Sequence, residues 1–213
     1  GILSGVGGVT IVNGAIMTLT GTSGFFSNIS NHGIISWSTG GNIWQYTVGG
    51  MLTNEIDGQV NISSSNLSQL SDTPFQNYGT VTKSGTGNLV FHNVYGSGGY
   101  FNNNGVFNIT EGQVYIQHSS THAGVFNVTT HLHFSGGTNT LTSGASITGP
   151  GTLSVEGTCT VSTPFTFNSP IVNVSGTLNG ASGKTIANGT TLNLTGILSG
   201  VGGVTIVNGA IMT

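Results

Sequence analysis

Apolar residues in this chain come in short alternating bursts. Val114 and Ile116, Leu132 and Phe134, and Leu192 and Leu194 each skip one residue, with polar neighbours between. Alternation of β-branched and aromatic residues between clusters of Gly, Asn, Ser and Pro predicts short, half-buried strands.

Self-comparison then orders those strands. Residues 1–18, GILSGVGGVTIVNGAIMT, recur letter for letter as residues 196–213, an offset of 195. The chain therefore reads as one unit, residues 1–195, followed by the start of an identical unit at 196–213. A window on a tandem array explains this better than an artificial duplication of a terminus, because the second copy begins without a linker. A finer period lies inside. Residues 173–193 laid over 193–213 agree at nine of 21 positions. Residues 105–110 lie over 124–129 and 155–159 over 174–178, both at an offset of 19, and Asn31-His-Gly33 precedes Asn77-Tyr-Gly79 by 46, two turns of 23. A period wandering between about 19 and 26 residues is that of a solenoid coil.

With about three strands per period, the prediction is an all-β parallel β-helix of about 8–10 coils. A sandwich or barrel of hairpins predicts longer strands and no identity at 20-residue spacing. Asn and Gly are expected at the corners, where the chain needs positive φ. Cys159 aligns with Leu178 and Leu198, so the three are expected in one inward ladder. Residues 63–77, which hold Asp72 and Pro74, match other coils least and are expected to bulge as a loop that adds no strand. The two copies of the 18-residue segment are expected on the same face, a whole number of coils apart. Eight to ten coils at about 4.8 Å each give an axial repeat of roughly 38–48 Å, with nine coils as the central value.

Composition narrows the function classes. Gly, Asn, Ser and Thr make up 114 of 213 residues, and only seven are charged: Glu55, Asp57, Asp72, Lys83, Glu111, Glu156 and Lys184. Six Ala, three Glu, two Lys and no Arg exclude a mostly helical fold. A hydrophobic fraction of 36% with net charge −3 argues against disorder. Few charges suit a stacked architecture, in which a ladder of one charge repels itself. Two lysines cannot neutralise a phosphate backbone, so no nucleic-acid partner and no anionic membrane surface are expected. Residues 1–54 carry no charge, yet their apolar bursts are broken by Gly, Ser, Thr and Asn, so membrane insertion is not expected either. The sequence has no starting Met and no basic leader, which reads as a mature fragment or a window on a longer chain. A single Cys excludes an internal disulfide framework.

The segments NYGTVTKSGTGNLVF (77–91), GVFNITEGQVYIQ (105–117) and GASITGPGTLSVEGT (144–158) resemble the rungs of very large secreted β-solenoid repeat proteins of the adhesin and extracellular-matrix type. The resemblance covers most of residues 77–213 and fades over 44–76. It implies a right-handed β-helix, secretion, and surface or matrix duty. It brings no catalytic residues and no cofactor; the implied partners are adjacent copies of the repeat, other fibres or glycans.

Candidate chemistry is sparse. Lyases of β-helical shape resemble one another in using acidic clusters for Ca²⁺ and an Arg or Lys base. This chain has no Arg, and its lysines stand alone. Glu55-Ile-Asp57 is the one close acidic pair; it is either an acid and base for glycoside cleavage or a solvated turn between Gly49-Gly50 and Gly58, and the turn is preferred. His131-Leu-His133 has metal-ligand spacing on a strand, with His118 or His122 as further donors, but an exposed pair is the expectation. The GxG segments at Gly85, Gly149 and Gly200 lack the spacing of a dinucleotide site and read as corners. Thr-x-Thr motifs change place from coil to coil, which weighs against ice binding. Candidate glycosylation sequons stand at Asn28, Asn61, Asn66, Asn108, Asn127, Asn173, Asn188 and Asn193. The expectation is a non-enzymatic structural segment of an extracellular fibre or adhesin stalk. The alternative is a carbohydrate-binding or carbohydrate-cleaving β-helix using Trp37, Trp44, Tyr46 and Tyr100.

Overall fold

The computed structural model describes residues 2–3, 7–25, 27–44, 50–92 and 98–213. These residues form strands and turns without a helix, wound as a parallel β-solenoid of about ten coils. Each coil contributes one strand to each of three faces. The first face is one 11-stranded sheet running from Ile2–Leu3 to Ile211–Met212. The second comprises a five-stranded sheet, Val9–Ile11 to Phe101–Asn103, followed by another, Ser120–His122 to Ile197–Leu198. The third comprises a seven-stranded sheet, Ile16–Leu19 to Ser146–Thr148, followed by a three-stranded one, Phe165–Phe167 to Val204–Ile206.

The registers are those of the internal repeats. Asn31 pairs with Asn54 and Asn54 with Asn77, two steps of 23 residues. Val106–Ile109 lies on Val125–Val128 at 19, and Ile171–Val174 on Thr191–Leu194 at 20. Because side chains alternate between faces of a strand, like registers stack like residues. Leu132, Leu153, Val172 and Leu192 form one fully buried column. Phe75, Phe91, Phe101, Phe107, Phe126 and Phe134 fill the middle of the solenoid, with the rings of Phe91 and Phe101 stacked at 4.1 Å. Trp37, expected as an exposed sugar platform, is instead a core residue whose indole N–H donates to the Gly40 carbonyl at 3.0 Å. Trp44 has an undescribed side chain and Tyr46 lies outside the described residues.

Three further expectations are corrected. Residues 63–77 do not bulge: Ser68–Ser71 and Phe75–Asn77 are strands paired on both sides. Leu70 and Phe75 are the apolar anchors, and the neighbouring inward positions are filled by buried Ser64, Ser68, Thr73 and Asn77. Polar residues facing inward hid the alternation.

The corner Asn residues are not there for positive φ, because Asp72 is the one described non-glycine residue with it (φ 54°). They form a buried amide ladder instead. The Nδ2 of Asn31, Asn54 and Asn77 donates to the Oδ1 of Asn54, Asn77 and Asn103 at 2.7, 2.8 and 2.7 Å. The same amides donate to corner carbonyls such as Gln59 O and Val106 O. The Gly two residues on serves close approach: a Cβ on Gly105 would meet the Gly79 oxygen at 2.2 Å.

The third correction concerns the duplicated segment. Val9–Ile11 lies on the second face, but its copy Val204–Ile206 lies on the third. Ile2–Leu3 is on the first face and Ile197–Leu198 on the second. The separation is nine coils and one further face, not a whole number, because coil lengths vary enough that 195 residues end one side onward.

Both lysines point inward. Lys83 stacks between Ile62 and Ile109, and its Nζ donates to the carbonyls of Gly85 and Glu111. Burial lowers its pKa, with Glu111 opposing. The Lys184 amine reaches the Gly180 and Ser182 carbonyls at 3.4 and 3.3 Å.

Cys159 occupies the expected ladder, over Leu178, itself over Leu198. It is fully buried, and burial pushes its thiol up to about 12. Native protein should react with a maleimide only on the timescale of unfolding, and Cys159→Ser should lower stability by about 1–3 kcal/mol in urea melts, through a buried hydroxyl without a partner. Rapid stoichiometric labelling of the folded chain would contradict this placement.

Candidate functional site

The acidic pair Glu55 and Asp57 sits in the turn between Leu52–Asn54 and Gln59–Ile62, as the solvated-turn reading had it. Register sets the preceding coil's Ser30 and His32 beside it. Ser30 Oγ donates to Glu55 Oε1 at 2.8 Å, and His32 Nδ1 lies 2.8 Å from Asp57 Oδ1. The His32 Nε2 is 3.5 Å from Ser30 Oγ. This is the order of groups in a Ser–His–Asp relay. Here the Ser30 proton is committed to Glu55, and that carboxylate places negative charge where an oxyanion would need donors. The grouping ties two coils together, with each carboxyl engaged by a side chain of the preceding coil.

His131 and His133 project outward from the first face, since Leu132 and Phe134 take the inward positions. They are covered, not freely exposed. The rings of Tyr115, His133 and His131 stack in series at 4.1 and 3.8 Å. His133 Nδ1 lies 2.6 Å from Glu156 Oε1, a carboxylate supplied by the next coil, and its Nε2 is 3.1 Å from Gln113 Oε1. Burial, with His133 adding to it and Glu156 opposing, pushes His131 down to about 4. Burial, then Glu156, raises Tyr115.

The other two candidate metal donors lie elsewhere. His118 and His122 point inward and are buried. No group of three or more His, Cys, Asp or Glu able to hold a metal occurs among the described residues.

His122 marks a change in the fold. It takes the position after Asn103 but ends the side-chain ladder: its Nδ1 accepts from the Asn103 backbone N–H at 3.2 Å and its Nε2 faces Asn139 Oδ1 at 3.2 Å, while Asn103 Nδ2 donates to the Val125 carbonyl. The neutral ring satisfies both contacts. Complete burial, against the Asn139 hydrogen bond, pushes its pKa down to about 4. His118 is also lowered by burial, with the His92 backbone and Asp72 opposing.

At the same level the second face breaks into its two sheets. Side chains take over the backbone bonds there: Phe101 N–H donates to Ser120 Oγ, and Thr121 N–H to Asn102 Oδ1. On the outer side of this face an open groove of about 340 Å³ runs across three successive coils, lined by Tyr100, Asn102, Ser119, Thr121, Thr138 and Thr140. Its walls are hydroxyls, an amide and one phenol ring, without a charged group. Such a lining fits a neutral polyhydroxylated ligand. Sequence reading had named Tyr100 but not the groove. The available signal was His122-Ala-Gly124 standing where earlier coils have Asn-x-Gly.

None of the eight sequon Asn residues is buried. Asn28, Asn66, Asn127 and Asn188 are exposed, and Asn61, Asn108, Asn173 and Asn193 are half-buried. Some are ladder partners: Asn127 Nδ2 donates to Asn108 Oδ1, and Asn193 Nδ2 to Asn173 Oδ1, both at 2.8 Å. No helix among the described residues is long and apolar enough to cross a membrane. No family model matches the sequence, and no curated protein or solved structure is similar to it at a significant level.

The buried histidines generate a pH dependence. An unfolded histidine takes up its proton near 6.5, whereas His122 and His131 resist protonation in the fold until about 4. Stability is therefore fully present above about 6.5 and is lost progressively as pH falls toward 4. His122 alone contributes up to about 3 kcal/mol of that loss. In His122→Asn, which puts an amide at this position, urea midpoints between pH 6.5 and 4 should fall less steeply. An unchanged slope would remove His122 as the cause.

Proposed function

We propose that this chain is a structural segment of a tandem-repeat extracellular fibre or adhesin stalk, supplying length, stiffness and a repetitive polar surface. The observation that carries this reading is the junction at residue 196. The second copy of the repeat stacks directly on the preceding coil, Ile197–Leu198 on Thr177–Asn179, Val204–Ile206 on Lys184–Ile186 and Ile211–Met212 on Thr191–Leu194. Nothing interrupts the ladder where one unit ends and the next begins. Stability in such an array is a sum of neighbour interactions, so length is added without a new core.

The chain has no catalytic role in this reading, because Glu55 and Asp57 are tied to Ser30 and His32. The partners are adjacent units of the same repeat. The eight accessible sequons and the near absence of charge favour a secreted, glycosylated surface. Neighbouring rungs lie about 4.8 Å apart, so a glycan on Asn127 would exclude one on Asn108, and likewise for Asn173 and Asn193. The test is imaging and diffraction of the native material. Long unbranched filaments with a 4.8 Å layer spacing along their axis are expected; short globular particles would sink the reading.

One observation favours a second reading, binding of neutral glycans: the uncharged groove at Tyr100. A sugar ring stacked on that phenol would be held by the Asn102 amide and the Thr hydroxyls. Titration with a neutral tetrasaccharide such as chitotetraose should shift the Tyr100 and Thr121 signals in NMR spectra, and Tyr100→Ala should weaken binding by about tenfold. Shifts scattered evenly over the three faces would count against this groove.

A further inference from the structure

Among the described residues, the duplicated segment keeps one local structure on two different faces. In the first copy Val9–Ile11 is followed by a turn in which Ala15 N–H donates to Val12 O at 2.9 Å; in the second, Val204–Ile206 is followed by Ala210 N–H donating to Val207 O at 3.0 Å. The glycines inside these turns, Gly14 and Gly209, have φ of 81° and 84°, and those preceding the strands, Gly8 and Gly203, have 68° and 63°. Yet the first turn joins the second face to the third, and the second joins the third to the first. Other coils show the same interchange. The turn closed by Ala145 N–H to Thr142 O lies at the former corner, and that closed by Thr190 N–H to Ala187 O at the latter. These two corners are structurally interchangeable.

Every strand pairing joins a strand to the one three positions later in the chain, whichever face it lies on, and the two places where a face changes sheet, Phe101–Asn103 to Ser120–His122 and Ser146–Thr148 to Phe165–Phe167, keep that order without a strand pairing. From Val9–Ile11 to Val204–Ile206 the described chain advances 28 strand positions, one more than nine full coils. A following unit that obeys the same rule meets identical neighbours at every strand, but one face further round.

We infer that successive units of the array are related by a screw: each is advanced by about nine and a third coils, roughly 45 Å, and turned by one face. This rests on the tandem-fibre reading. The interaction surface is the last coil, whose Ile206, Ile211 and Met212 are exposed here, and its partner is the continuation of the next copy of the unit. The structure returns to its starting orientation only after three units, 585 residues and roughly 134 Å. Every surface feature, including the Tyr100 groove, is thereby presented on all three sides in turn.

Two experiments test this. In the 213-residue chain, Thr185→Cys with Thr205→Cys places the cysteines on paired positions of neighbouring strands. Mild oxidation should close that disulfide and not one between Asn179→Cys and Thr205→Cys, the pair adjacent if the copies shared a face. The reverse result would overturn the face assignment. In a chain of three complete units, Ile56→Cys puts an exposed thiol on each unit while Cys159 stays buried. Biotin-maleimide and streptavidin should then decorate three different sides in succession. Labels all along one side of an elongated particle would overturn the screw and leave the fibre standing. A three-unit chain no longer than a single unit would instead overturn the tandem reading itself, and the screw with it.

Discussion

The structure depends on parallel pairing of strands with their counterparts one coil later. That pairing satisfies most of the backbone between coils, with side chains taking over where the second face changes sheet, and it fixes which side chains touch. Because the step between rungs is only about 4.8 Å, a residue's main neighbours are the residues at its own position above and below. The constraint is severe for charge, which cannot stack on itself, and generous for Asn, whose amide both donates and accepts. A column of Asn31, Asn54, Asn77 and Asn103 can therefore lie buried with each amide bonded to the next. The apolar columns obey the same rule with dispersion in place of hydrogen bonds.

Where the column changes residue type, the sheet changes with it. His122 ends the amide ladder, and around it Ser120 and Asn102 side chains replace strand-to-strand backbone bonds. One coil's departure from the repeat thus brings in a buried titratable ring at the level where the second face changes sheet.

Much of the fold was legible because stacking converts sequence period directly into spatial contact. The offsets that align Asn31 with Asn77, or Val106 with Val125, are the observed registers, and Cys159 could be placed inward from its alignment with Leu178. Residues 63–77 were misread for a physical reason. Periodicity analysis sees inward positions as apolar, but Ser64, Thr73 and Asn77 are inward and polar, made tolerable by hydrogen bonds such as Ser64 Oγ to Asn66 O and Thr73 Oγ1 to Ser71 O. The pairing of His133 with Glu156 was equally hidden, since 23 residues separate partners that only the coil brings together. The groove was illegible from composition because its lining comes from outward positions of three coils, about 20 residues apart in sequence, that only the stacking brings together. The face of the second repeat was missed because sequence identity constrains neighbours, and neighbours are preserved by a rotation as well as by a translation.

The two lysines lie inside the solenoid, their amines turned toward corner carbonyls. With no Arg in the chain, the described outer surface carries carboxylates, amides and hydroxyls but no fixed positive charge. Two of the proposed fibres lying side by side have no ion pairs to form and meet only with sparse carboxylates, whose repulsion dissolved salt screens. Their cohesion would then be greater in brine than in fresh water, the reverse of a surface held by ion pairs, and would yield to whatever competes for hydrogen bonds.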